Sequence, residues 1–347
     1  MRNGVLVILG VVLVSCAPLP PIPFVTDADV APPVITDIVM PDDAELAVLF
    51  DEEVELVGEV VTSEGVRVAR ESTDHQQPSD APQPSAGRLH VRFASPPSPG
   101  VEHSIEAQVR DASGNNLRFL ASFYGRNSLL PAMIINEVTT QGSGNHPDLV
   151  EIRILSDGNL AGAVVYEGVP ENWEQRLVFP DMDVSAGDYV VVHFRPEGIP
   201  EEINETAVRD ASGGLDASPE GWDLWVEAGT GLSGNNGVIA LCENPFGGYL
   251  DVFLYSNRTS DSDERYRGFG SRDVMERADA VFAAGAWRAA GDQIAPEDAV
   301  DPEPSTGTRS MARGSDGADT DSASDWHITP TRGLSPGVVN TDEVHEP

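Results

Sequence analysis

Three features of this 347-residue chain predict an all-β fold. Short apolar runs alternate with polar residues at a period of two, and turns rich in Gly, Asn and Asp separate them. Helical periodicity is confined to residues 273–284 (DVMERADAVFAA). The expected arrangement is two β-sandwiches in tandem, with a short helix inserted in the second, since the length allows two cores of ordinary size.

The first element is residues 1–16, MRNGVLVILGVVLVSC, in which a single basic residue, Arg2, precedes an apolar run over residues 4–14. A bilayer span needs about 20 apolar residues, so this run has the length of a signal-peptide core instead. Its last four residues, Leu13, Val14, Ser15 and Cys16, resemble the lipobox of bacterial lipoproteins. That resemblance implies a signal peptide over residues 1–15, read at Leu13, Val14 and Ser15, and a covalent lipid such as palmitate on Cys16. The protein is then a membrane-anchored lipoprotein of the outer membrane or cell surface. Residues 16–31 follow as a proline-rich tether, with Pro18, Pro20, Pro21 and Pro23 favouring an extended chain of about 3.1 Å per residue.

Charge narrows the function. The formal net charge is -36, from 57 acidic and 21 basic residues, and every basic residue is arginine. Without lysine there is no P-loop and no Schiff-base chemistry. So acidic a surface opposes nucleic acid, whose recognition rests on cations at phosphate. It suits a high-salt environment, where charges are screened; an arginine-favouring genome explains the missing lysine equally well. With Cys16 acylated, Cys242 is the one remaining cysteine, expected as a small buried apolar residue.

The first sandwich is expected over residues 32–126. Leu89, Val91 and Phe93 alternate with Arg88, His90 and Arg92, and Ile105, Ala107 and Val109 with Glu106, Gln108 and Arg110. Residues 71–87 (ESTDHQQPSDAPQPSAG) read as a polar surface loop. The strand ending at Arg110 runs into Asp111, Gly114 and Asn115, a D-x-x-G-N turn, before a last strand over residues 117–124. This pattern resembles the bacterial Ig-like domains repeated in surface proteins. Local turn chemistry accounts for Asp111, and a structural calcium there is the alternative.

The second sandwich is expected over residues 132–340. Its strands are residues 133–138 (MIINEV), 148–154 (DLVEIRI), 176–179 (RLVF), the apolar run that follows a Gly-Asp turn within 186–194 (AGDYVVVHF), 238–242 (VIALC) after a turn over 231–237 (GLSGNNG), and 249–255 (YLDVFLY). In the second of these, Val150, Ile152 and Ile154 form the buried face, and Glu151 and Arg153 the wet one. With the C-terminal strings SMAR, DTDSASDW and TRGLSPGVVN, this order resembles the lamin-tail domain, an Ig-like sandwich found in nuclear lamins and in exported bacterial proteins. The family's Leu-x-Gly-Trp motif is here Leu160-Ala161-Gly162-Ala163, and insertions fall at about residues 198–222 and 257–308. The second insertion carries the helix, expected to pack on the sandwich, and an acidic, mobile loop over residues 292–306.

Catalytic motifs are missing: seven scattered histidines lack metal-ligand spacing, and no Gly-x-Ser-x-Gly elbow occurs. Asp319 and Asp321 are the candidate metal pair, and His146 precedes a strand in a turn, where it caps rather than ligates. Trp222 and Trp225 would serve as a ligand platform only if exposed, whereas tryptophan in small sandwiches is commonly a buried anchor. The expectation is a non-catalytic, lipid-anchored interaction, adhesion or scaffolding module. It needs no cofactor beyond its lipid, and its partners are the membrane and a protein or glycan at the surface. The alternatives are a carbohydrate-binding accessory of exported hydrolases, or a hydrolase using paired acids.

Overall fold

Strands account for 39% of the chain and helix for 7% in the computed structural model, so the fold is all-β and of the sandwich type. The structure describes residues 29–63, 65–75 and 87–346. Leu13, Val14, Ser15, Cys16 and tether residues 17–28 lie outside the described residues.

The first eight strands are β1 (Ile35–Asp42), β2 (Glu45–Phe50), β3 (Glu55–Leu56), β4 (Val61–Thr62), β5 (Val68–His75), β6 (Gly87–Phe93), β7 (Glu102–Arg110) and β8 (Asn116–Tyr124). One sheet has the order β1-β2-β6-β5; in the other, β3, β4 and β8 all pair with β7. The alternation read from β6 and β7 holds, because Leu89, Val91, Ile105 and Val109 are buried and meet Phe50, Phe93 and Phe123 in one apolar cluster. The loop expected over residues 71–87 needs correcting: residues 71–75 continue β5 against β6, and Gly87 begins β6.

Twelve strands and one helix follow. They are β9 (Met133–Thr139), β10 (Leu149–Ile154), β11 (Gly158–Asn159), β12 (Val164–Val169), β13 (Asn172–Val178), β14 (Asp183–Val184), β15 (Tyr189–His193), β16 (Trp222–Trp225), β17 (Asn236–Asn244), β18 (Gly247–Ser256), α1 (Arg272–Ala283), β19 (Met311–Arg313) and β20 (Trp326–Ile328). A six-stranded sheet, β16-β15-β10-β9-β19-β20, and a four-stranded sheet, β13-β12-β17-β18, bury one apolar cluster; β11 and β14 form a short ribbon. Cys242 is buried in this cluster, where burial pushes its thiol up to about 12. Helix α1 starts at Ser271, whose Oγ accepts from the Val274 amide at 3.2 Å, and it buries Arg277, Ala278 and Val281 against the sandwich. Residues 292–306, expected as a mobile loop, are docked instead. Ile294, Pro296 and Val300 are buried, and Val300 bonds the backbone of Leu254 and Ser256.

Where β19 leaves β9, a charged pair takes over the edge. Arg313 is fully buried, and its Nη2 lies 3.0 Å from both carboxylate oxygens of Asp251 on β18. Arg313 Nε donates to the Ile135 carbonyl at 2.7 Å, while Asp251 accepts from the Ile135 amide at 2.7 Å. Together they satisfy both backbone groups of a β9 residue and join the two sheets. Asp319 and Asp325 bond the other end of the guanidinium at 3.1 and 3.4 Å, and Trp326 lies under it at 4.8 Å. Removing one partner of such a group strands the others as uncompensated buried charge. Arg313→Met is therefore expected to lower unfolding free energy by about 3–5 kcal/mol in urea titrations; a loss below about 1 kcal/mol would contradict this role.

Candidate functional site

The hairpin between β17 and β18, residues 243–248 (ENPFGG), turns tightly because Gly247 and Gly248 take φ values of 128° and 77°. Asn244 Oδ1 accepts from the Phe246 amide at 2.9 Å, and Tyr166 OH donates to the Pro245 carbonyl at 2.9 Å from beneath. The tip is thus fixed by side chains while Phe246 remains 56% exposed. A rigid, exposed aromatic has little conformational freedom left to lose on contact, which suits it to be a binding anchor.

Phe246 meets Tyr124 edge-on, with ring centroids 5.1 Å apart, at the end of β8. Opposite them, Val39 and Met40 of β1 complete a groove of about 650 Å³ between the two modules. Arg126 and Glu243 supply its charged lining, and Arg126 Nη1 donates to the Pro41 carbonyl at 3.0 Å. Beside the groove the modules touch by backbone. Asn127 Nδ2 donates to the carbonyls of Asn159 and Ala161 at 2.7 and 2.9 Å. Gly162, with φ +84°, lies so close to Gly100 that a Cβ would stand 2.6 Å from its nitrogen. The glycine in Leu160-Ala161-Gly162-Ala163 is therefore spent on this seam. The groove offers a mixed lining, with Val39, Met40, Tyr124 and Phe246 beside Arg126, Asn127, Ser128, Glu243 and Asn244; sequence reasoning missed it because it assembles from segments far apart in the chain.

The residues singled out from the sequence serve other purposes. Asp319 bonds Arg313 and accepts from the Asp321 amide at 3.1 Å, and Asp321 lies 3.9 Å from Arg288, so this pair neutralises arginines. Trp225 is 6% exposed, stacks on buried His193 at 3.9 Å and donates through Nε1 to Ser212 Oγ at 2.9 Å. Trp222 is half-buried under Arg209, and its Nε1 donates to Asp188 at 3.2 Å. The exposed platform considered for Trp222 and Trp225 is corrected accordingly: at i and i+3 of one strand they face opposite sides, each covered. His146 pairs with Asp216 at 2.9 Å.

Asp111 does act in its turn, accepting from the Asn115 amide at 2.8 Å and side chain at 2.7 Å. Among the described residues, its carboxylate also groups with those of Asp29 and Glu52, their oxygens within 4.8 Å of one another, a set able to hold a cation. Burial, then the charges of Asp111 and Asp29, holds the Glu52 carboxyl above its usual range.

The protein-family model described as TP_1001_2nd, protein second domain, matches residues 131–328, from the segment before β9 to the end of β20. An uncharacterized protein of Treponema pallidum (strain Nichols) is 24% identical over 183 residues, covering 53% of this chain and 46% of that protein. The chain thus spans about half the length of the curated relative it matches. No solved structure matches.

Phe246→Ser is expected to leave stability within about 0.5 kcal/mol of wild type, as for a surface substitution. Trp225→Ala should cost about 3–5 kcal/mol; equal costs in thermal unfolding would refute this division of roles.

Proposed function

From the premise that the chain belongs to the TP_1001_2nd family, we propose that it is a lipid-anchored envelope protein that binds a partner without catalysis. In this reading Cys16 carries the lipid, residues 32–126 form an Ig-like stalk, and residues 132–340 form a lamin-tail-like sandwich that presents the groove. The observation that carries it is the placing of the two ends of the first module. Asp29, where the described chain begins, accepts through its carbonyl from Asn115 Nδ2 at 3.2 Å. From that turn the nine residues of β8 lead to Tyr124 in the groove wall, a run of about 30 Å at 3.3 Å per residue. Asp29 and the groove thus lie toward opposite ends of the first module, which suits a body that reaches away from a membrane.

The groove lining supports binding rather than turnover. Its charged lining is one carboxylate, Glu243, and one guanidinium, Arg126, and it exposes Val39 and Phe246. The protein's acidity favours a partner with a complementary cationic surface. Among the described residues no helix is long and apolar enough to cross a membrane, so attachment in this reading rests on the lipid.

Two measurements test the proposal. Cys16→Ala should move the protein from the membrane fraction to the soluble fraction; unchanged partitioning would refute lipid anchoring. Val39→Asp with Phe246→Asp should keep the fold but weaken capture of the envelope partner by about 30-fold, the loss of roughly 2 kcal/mol expected of a binding anchor. Capture that survives this variant would move binding away from the groove.

A further inference from the structure

Glu137 of β9 and Glu151 of β10 stand opposite each other in the antiparallel register, so both side chains leave the same face of the six-stranded sheet. That face is turned away from the apolar cluster, yet both carboxylates are fully buried. The cover is the C-terminal segment. Glu137 accepts from the Ser335 amide at 3.0 Å, from Ser335 Oγ at 3.3 Å and from Ser310 Oγ. Glu151 accepts from the Gly337 amide at 2.6 Å and from Asn136 Nδ2 at 2.6 Å. Asn340 finishes the attachment, donating to the carbonyls of Asn136 and Arg313 at 3.0 Å each.

Among the described residues no arginine or histidine bonds either carboxylate. The charged groups on the surrounding elements are engaged elsewhere. Arg153 of β10 attracts Glu151 from a distance and bonds the Ser315 carbonyl; Arg313 of β19 is held by Asp251. His193 of β15 lies against Asp223 of β16, and Glu205 of the covering loop accepts from the Asp223 amide. Arg209 of that loop pairs with Asp188. Tyr189 of β15 faces Glu151 and Arg153; beyond the strap, Asp342 bonds Ser315 and Arg332 is exposed.

We propose that Glu137 and Glu151, facing each other in the register and buried without a bonded cation, together retain a proton and form a pH-sensitive latch, closed over residues 335–340 while that proton is present and opened when it is lost to solvent. Two neighbouring buried anions without a cation repel each other, and a proton kept on the pair removes that repulsion. Burial pushes the Glu137 carboxyl up to about 7, and burial together with the Glu137 charge raises Glu151 well above its usual range. The folded pair therefore keeps protons that the unfolded chain gives up near 4.5. Its stabilising contribution is complete below that value and declines as pH rises through about 7 and above, where Glu151 gives up the pair's last proton and frees the strap.

Hydrogen exchange at the Ser335 and Gly337 amides of the full chain, corrected for intrinsic base catalysis, tests the latch from about pH 5 to about pH 9. Protection should fall by about tenfold or more across neutrality in wild type. It should stay level in Glu151→Gln, which leaves no second carboxylate to repel Glu137. Level wild-type protection, or the same fall in Glu151→Gln, would overturn the proposal. Should that variant not fold, infrared difference spectra of ¹³C-glutamate wild-type protein decide: a buried neutral carboxylic acid at about pH 6 that vanishes as pH rises supports the latch, and its absence overturns it.

Discussion

The second module depends on a guanidinium sealed between its two sheets. Burying Arg313 carries a large desolvation cost, offset only where every donor finds a partner. Asp251, Asp319, Asp325 and the Ile135 carbonyl supply those partners, and they come from both sheets and from the segment before β20. The charge therefore ties together β9, β18 and β19 where they meet. Its environment also explains why arginine stands here: a planar fork with several donors can bond three carboxylates and a carbonyl at once, as an ammonium group cannot.

The same economy recurs wherever an irregular segment crosses a sheet. Asp148 accepts from the amides of Gly142 and Leu232, both at 2.8 Å. Glu205 accepts from the amides of Ala211, Ser212 and Asp223, and Asp223 from that of Ser218. Buried carboxylates thus do for the long loops what neighbouring strands do for the ladders. Part of the chain's acidity is internal framework, and only the remainder is surface charge.

How far the sequence revealed this depends on the range of the interaction. Period-two strands such as β6, β7 and β10, the helix and the Asp111 turn were legible because their signals are local. β16 was hidden at the end of an apparent insertion, since four residues, Trp222–Trp225, show no period, and their pairing with β15 is parallel. Residues 292–306 looked unstructured because Ile294, Pro296 and Val300 dock singly, without periodicity. Glu151 read as a wet-face residue, which is correct for the strand; what buries it arrives from 186 residues away. The groove was illegible for the same reason, as Val39, Tyr124 and Phe246 meet only through tertiary structure.

The polar placement of the first module has a mechanical meaning. β1 runs from the N-terminal pole at Ile35 to the groove at Met40, and β8 returns the chain to the second module from that same end. A pull between Ile35 and the second module would act along the axis of β1, loading its hydrogen bonds to β2 together in shear rather than one by one. The first module thereby resists force best along that axis.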